Sequence, residues 1–262
     1  MESWVLVLNV GNSSISIGVF SGAKLLHDWR VSTDIRRSED ELGLLLKALL
    51  RDVGLETQTW SGVCVSSVVP PLGAVLVATI RKYLDTEPLI VGPGVKTGLA
   101  IRSENPREIG ADRIVNAVAA ANKFDSPLIV VKLGTATTFC VIDETGDYVG
   151  GVIAPGVRLA ADALYERTAK LPRVELAYPK HVVGKSTISS IQSGLLYGAA
   201  GLVDGIVTRI SEEYALDFTV IATGGLAHLI SPASYTINIV EPYLTLEGLR
   251  LIWQRNAGTS NC

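Results

Sequence analysis

Leu6-Val7-Leu8-Asn9-Val10-Gly11-Asn12-Ser13-Ser14 decides how this chain is read: an apolar run ends in a polar residue, a glycine and a cluster of hydroxyls. The apolar run predicts a buried strand, and Gly-Asn-Ser predicts a tight turn into a second strand. Glycine admits backbone N–H groups close to an anion and neighbouring hydroxyls add donors without bulk, so such a hairpin suits a phosphate. One copy alone reads more readily as an ordinary hairpin turn. A second copy reverses that balance. Val130-Val131-Lys132-Leu133-Gly134-Thr135-Ala136-Thr137-Thr138 repeats the pattern, aligning Asn9 with Lys132, Gly11 with Gly134 and Ser14 with Thr137. Two such hairpins half a chain apart predict a duplicated fold that handles a nucleotide.

Composition narrows the class. At 262 residues, 48% hydrophobic and 19% charged, the chain can bury a substantial core as one large domain or two moderate ones. A net charge of −3 with no basic run or basic-aromatic stripe argues against nucleic acid as the main ligand. The uncharged stretch from Trp60 to Ile80 is split by Pro70-Pro71 into a strand, a turn and a helix, so no membrane span is expected. Met1-Glu2-Ser3-Trp4 lacks a basic n-region and leads into a strand, which predicts a cytoplasmic protein. Cys64, Cys140 and Cys262 are odd in number without C-x-x-C spacing, and His27, His181 and His228 are scattered, so neither disulfides nor a Cys/His metal site is expected.

Two α/β halves emerge along the chain. The first carries strands near 4–10, 15–20, 24–32 and 61–67, helices near 38–53 and 71–84, and a short strand at Pro88-Leu89-Ile90-Val91. In Asn105-Pro106-Arg107-Glu108, asparagine is placed to cap a helix, proline to take its first turn and glutamate to close a capping box. Gly110 interrupts that segment, and Ile114, Val115, Val118 and Ala121 then form one apolar helical face. The second half restarts at Pro127 with strands near 127–132, 137–143, 147–153 and 219–223 and helices near 157–170 and 187–213. A single cut divides the chain into 1–114 and 115–262. On the long helix Gly194, Gly198, Gly201 and Gly205 share one face, although each glycine costs a helix about 1 kcal/mol relative to alanine. Either close packing within the chain or a two-fold contact between copies accounts for them.

Two glycine motifs need weighing. Gly184-Lys185-Ser186 looks like the end of a P-loop, but Pro179 stands where its first glycine belongs. Ser186 or Thr187 is instead suited to cap the long helix. Ala222-Thr223-Gly224-Gly225-Leu226 reads as a strand ending in paired glycines before a helix, either a plain turn or a nucleotide contact.

The first hairpin, Gly92-Pro93-Gly94-Val95-Lys96-Thr97-Gly98-Leu99, Asn105-Pro106-Arg107-Glu108-Ile109-Gly110-Ala111-Asp112-Arg113, Gly134-Thr135-Ala136-Thr137-Thr138, Ile153-Ala154-Pro155-Gly156, Thr223-Gly224-Gly225 and Leu244-Thr245-Leu246-Glu247-Gly248-Leu249 together resemble the type III pantothenate kinases. The likeness spans nearly the whole chain. It implies the duplicated actin-like ATPase fold (ribonuclease H-like α/β domains with mixed sheets flanked by helices) shared with acetate and sugar kinases, and a homodimer. It also implies ATP-dependent, Mg²⁺-assisted phosphorylation of pantothenate, the first step of coenzyme A synthesis. Residue by residue, it implies ATP contacts at Asn9, Val10, Gly11, Asn12, Ser13, Ser14, Ile15, Ser16 and Thr135, with Gly224 and Gly225 added. Pantothenate falls on Ser103, Gly110, Ala111, Asp112, Arg113 and Thr187, with Asp112 as general base and Arg113 as partner for the substrate carboxylate.

Four positions depart from the resembled pattern. Asn9 replaces an aspartate that helps hold Mg²⁺, Lys132 replaces an aspartate that binds an activating monovalent cation (K⁺ or NH₄⁺), Ser103 replaces a tyrosine and Cys140 replaces an aspartate. Acetate kinases resemble this chain in carrying asparagine followed by Gly-x-Ser-Ser. The Lys132 ammonium is placed to stand in for the missing monovalent ion. These departures leave open a silent paralogue that binds pantothenate or nucleotide for regulation, as in the Bvg accessory factor branch, and a kinase for another small carboxylate.

Overall fold

The computed structural model describes residues 3–257; Cys262 lies outside them, and Cys64 and Cys140 are buried free thiols. Burial pushes the Cys64 thiol up to about 12. Two compact units arise, one from 1–98, 105–119 and 245–262, the other from 99–104 and 120–244.

The first unit is built on a five-stranded sheet. Strands β1 (Trp4–Val10), β2 (Ser14–Ser21) and β3 (Lys24–Ser32) form an antiparallel meander, and β4 (Gly62–Ser67) and β5 (Pro88–Ile90) run parallel to β1, giving the order β3-β2-β1-β4-β5. Alternation along β1 sends Leu6, Leu8 and Val10 into a core shared with Leu42, Leu46 and Leu50 of α1 (Glu39–Asp52) and Leu72, Leu76 and Ile80 of α2 (Pro70–Leu84). Helix α1 starts at a complete capping box: the Glu41 N–H donates to Ser38 Oγ, and the Ser38 N–H donates to the Glu41 carboxylate.

The second unit repeats this topology. Strands β6 (Leu128–Leu133), β7 (Ala136–Ile142) and β8 (Tyr148–Pro155) form the meander, and β9 (Thr219–Thr223) and β10 (Ile239–Val240) extend it in parallel, in the order β10-β9-β6-β7-β8. Ile129, Val131 and Leu133 face a core supplied by α4 (Val157–Glu166) and the 28-residue α5 (Thr187–Tyr214), joined by α6 (Ala227–Ile230).

The units do not follow the single cut after residue 114. Helix α3 (Ala111–Lys123) is shared at residue 119, segment 99–104 belongs with the second unit, and α7 (Leu244–Asn256) returns to the first from Thr245 onward. Glycines make room for that return. A Cβ on Gly18 would meet Leu246, one on Gly62 would strike the Trp253 ring, and one on Gly248 would strike the Val115 carbonyl. The expected capping box at Asn105 does not form. The Asn105 amide donates to the Glu108 carboxylate at 2.6 Å, and the chain makes only a single 3₁₀ turn over Pro106–Glu108 before α3.

Among the described residues no helix is long and apolar enough to cross a membrane. None of their His, Cys, Asp and Glu side chains gather in a group of three or more suited to a metal.

Candidate active site

The two hairpins are not the same length. Val10 pairs with Ile15 across four intervening residues, whereas Leu133 pairs with Thr137 across three. Ladder register therefore equates Ser16 with Thr138 and Ile15 with Thr137, one place off the ungapped alignment of Ser14 with Thr137. Each glycine N–H closes its own turn: Gly11 donates to the Ser14 carbonyl (3.0 Å) and Gly134 to the Ala136 carbonyl (3.2 Å).

Residues directly opposite in a ladder share a sheet face. In the first unit this makes a polar row, Arg30, Ser16, Asn9 and Ser66, across β3, β2, β1 and β4. Asn9 is buried, and its Oδ1 accepts the Ser66 hydroxyl proton at 2.7 Å. Further along the turn, Arg30 Nε donates to Ser14 Oγ (2.9 Å), and the Thr33 hydroxyl donates to the Gly11 carbonyl (2.7 Å). Asn12 and Ser13 are exposed at the tip. Val10 and Ile15 point into the core, so only their backbone is available to a ligand. Arg30, Thr33 and Ser66 were not singled out in the sequence; only their register against the hairpin brings them in.

Asp112 is tied to this hairpin through a short chain of contacts. The Val68 N–H donates to the Val10 carbonyl at 3.0 Å, and a Cβ on Gly110 would lie 3.7 Å from a Val68 methyl. The same Cβ would lie 2.9 Å from Asp112 Oδ1, so the carboxylate rests over a glycine whose missing side chain leaves the space it occupies. Arg113 and Ile114 donate their N–H groups to the Gly110 carbonyl, which starts α3. Gly110, Ala111, Asp112 and Arg113 are half-buried, and the structure gathers them with the first hairpin in one unit.

In the second unit the equivalent row is Ile153, Thr138, Lys132 and Thr223 across β8, β7, β6 and β9. Glycines press on this hairpin from both sides. Gly224 has φ +97°, and a Cβ there would lie 2.6 Å from the Leu133 carbonyl oxygen; a Cβ on Gly156 would strike the Thr135 carbonyl. Thr135 is half-buried and Gly225 is exposed.

Ser103 and Thr187 lie elsewhere in that unit. Ser103 follows a segment laid along β8, where Arg102 donates its N–H to the Tyr148 carbonyl (2.8 Å) and pairs with Asp147 (2.5 Å). Thr187 opens α5 behind the Ser186 cap, whose Oγ accepts the Ser189 N–H. It lines an open cavity of about 800 Å³ with Lys185, Ser190, Leu164 and Leu171, and no hairpin residue takes part.

Sequence comparison adds the identity of this arrangement's relatives. A family model described as type III pantothenate kinase matches residues 5–209. The chain is 53% identical over 253 residues to a protein named type III pantothenate kinase from Bacillus cytotoxicus, covering 97% of each. The chain belongs to the type III pantothenate kinase family. Solved structures share the fold at low identity. Component A of (R)-2-hydroxyglutaryl-CoA dehydratase from Acidaminococcus fermentans matches with a TM-score of 0.58 at 12% identity, covering 98% of this chain and 100% of that one. An inorganic polyphosphate/ATP-glucomannokinase from Arthrobacter sp. strain KM matches at 0.51 and 12%, covering 98% and 99%. For a type III pantothenate kinase family member the duplicated five-stranded sheets are thus the shared frame, with Asn9 and Lys132 at matching places in the two copies.

Proposed function

We infer that the protein transfers the γ-phosphoryl group of ATP to the hydroxyl of pantothenate, making 4′-phosphopantothenate for coenzyme A synthesis in the cytoplasm. Family membership supports the reaction class, which uses ATP with a divalent metal. The observation that carries the reading is the Asp112 carboxylate resting on Gly110, linked through Val68 to the first hairpin.

Asp112 then takes the hydroxyl proton as that oxygen attacks the γ-phosphorus, and Arg113 grips the substrate carboxylate with Ala111 and Gly110 beside it. The phosphates lie against the backbone and hydroxyls of 11–16, and Thr135, Gly224 and Gly225 serve as nucleotide contacts of the second unit. Ser103 and Thr187 are substrate contacts in this reading. Mg²⁺ keeps most of its waters and rides chiefly on substrate phosphates, so the neutral oxygens of Asn9 and Ser66 fit a role in orienting that water shell. Held there, Mg²⁺ would supply positive charge to offset that of the transferring group.

We also infer a homodimer through α5. A Cβ on Gly194, Gly198 or Gly201 would meet nothing within 4 Å among the described residues, so packing among them does not account for these glycines. Ile188, at the same helix's start, is 51% exposed, which adds apolar area to that helix's surface.

Purified protein with ATP, Mg²⁺ and pantothenate tests the reaction: phosphorylated pantothenate identified by mass spectrometry is the expected product. Absence of that product together with retained pantothenate binding would favour a silent paralogue.

A further inference from the structure

We propose that Lys132 is a built-in monovalent cation, so that nucleotide binding by this protein needs no K⁺ or NH₄⁺. The inference rests on the nucleotide reading of the second hairpin.

The row that contains Lys132 offers a K⁺ ion no negative charge to hold it beside the ammonium. Its neighbours across the ladder are Thr138 and Thr223, both neutral hydroxyls, with Ile153 beyond, and no carboxylate stands in the row. A lysine ammonium and a potassium ion compete for the same oxygens and repel one another, so the position suits one or the other. The K⁺ expected of the family therefore does not fit these residues. The ammonium is well placed for its work. Lys132 is the penultimate residue of β6, on the face opposite Val131 and Leu133, and its Cε lies 4.0 Å from the point where a Cβ on Gly134 would sit, so the side chain runs along the phosphate turn. Across from it, Thr138 Oγ1 is buried with no hydrogen-bond partner among the described residues, an oxygen available to a cation or a ligand on this row.

Charge counting gives the consequence. An aspartate needs a bound potassium ion to bring a cation to this place, whereas lysine brings an ammonium that is covalently attached. The hairpin thereby attracts polyphosphate without first recruiting an ion.

Titration calorimetry of Mg·ATP binding tests this, with wild-type protein in chloride salts of tetramethylammonium, potassium or ammonium at constant ionic strength. The expected dissociation constant varies by less than about twofold among the three salts. Lys132→Asp should weaken binding by about tenfold or more in tetramethylammonium and recover it in potassium or ammonium, a salt-specific rescue that a purely structural role would not produce. If that variant does not fold, as judged by its melting curve, Lys132→Met should weaken binding equally in all three salts. Tightening of wild-type binding by about fivefold or more on adding potassium, or a charge-removing variant that binds like wild type in tetramethylammonium, overturns the proposal. Wild-type protein that binds no ATP in any salt overturns the nucleotide reading and this inference with it, and that result is distinct from potassium-dependent binding.

Discussion

Asp112 and Gly110 act as a pair at the scale of single residues. If Asp112 is the base of the proposed reaction, Asp112→Asn keeps the shape and removes that base, so turnover should fall by about 10²-fold or more while pantothenate affinity changes little. Steady-state kinetics with a direct binding measurement checks this. Gly110→Ala is the more specific test of the geometry. Its Cβ would lie 2.9 Å from Asp112 Oδ1, the far end of a short side chain, so the cost should appear in the position of the carboxylate and not in stability. We expect kcat to fall by about tenfold or more with a melting temperature within a few degrees of wild type. Unchanged kcat in this variant would mean that the observed carboxylate position is not the productive one. The motif containing these two residues was legible in the sequence. Why the glycine precedes the aspartate by two residues was not, because the reason is a through-space contact.

Elements carry the next set of consequences. The hairpins, the two meanders and α5 follow from apolar runs, Gly-Ser turns and a serine cap, all local signals, and they stand within a residue or two of where the sequence puts them. Elements set by distant partners were hidden. Helix α7 is held on the first sheet by clearances at Gly18 and Gly62, and β10 is only two residues long, below what any periodicity reveals. Arg30 and Ser66 likewise join the first hairpin through strand register alone. Another hidden feature is Asp204 of α5, which pins the loop before β10. Its carboxylate accepts bonds from the Ser234 hydroxyl (2.6 Å), the Tyr235 N–H (3.0 Å) and the Thr236 N–H and hydroxyl (3.1 and 2.8 Å). Burial alone would raise its pKa, but these bonds together outweigh burial and hold it below the ordinary 3.8. A depressed carboxylate stabilises the fold above its unfolded pKa, and that contribution is lost as pH falls through the folded value. Asp204→Ala should therefore cost about 1–3 kcal/mol at neutral pH, with the gap to wild type narrowing below about pH 4 in denaturant titrations. Gly224→Ala should also destabilise, by about 1–3 kcal/mol, because it combines a φ of +97° with a Cβ 2.6 Å from the Leu133 carbonyl.

Duplication organises the molecule as a whole. The same strand order in both units places Asn9 and Lys132 at one topological position, with a neutral amide in one copy and a lysine in the other. Sequence reading found the repeat because glycine and hydroxyl residues mark both turns. It misjudged the register by one residue because the loops differ in length, which only the ladder shows. The unpacked glycines of α5 lead to an expectation for assembly: light scattering should give a dimer at micromolar concentration, and Gly198→Leu should weaken it by overpacking the shared face. A wild-type monomer would remove that reading without touching the chemistry. The chemistry itself is tested most directly by incubating the purified protein with ATP, Mg²⁺ and pantothenate and counting products. The account predicts one phosphorylated pantothenate for each ADP released. ADP release without phosphorylated pantothenate, or no turnover with any nucleotide and divalent metal tried, would contradict it.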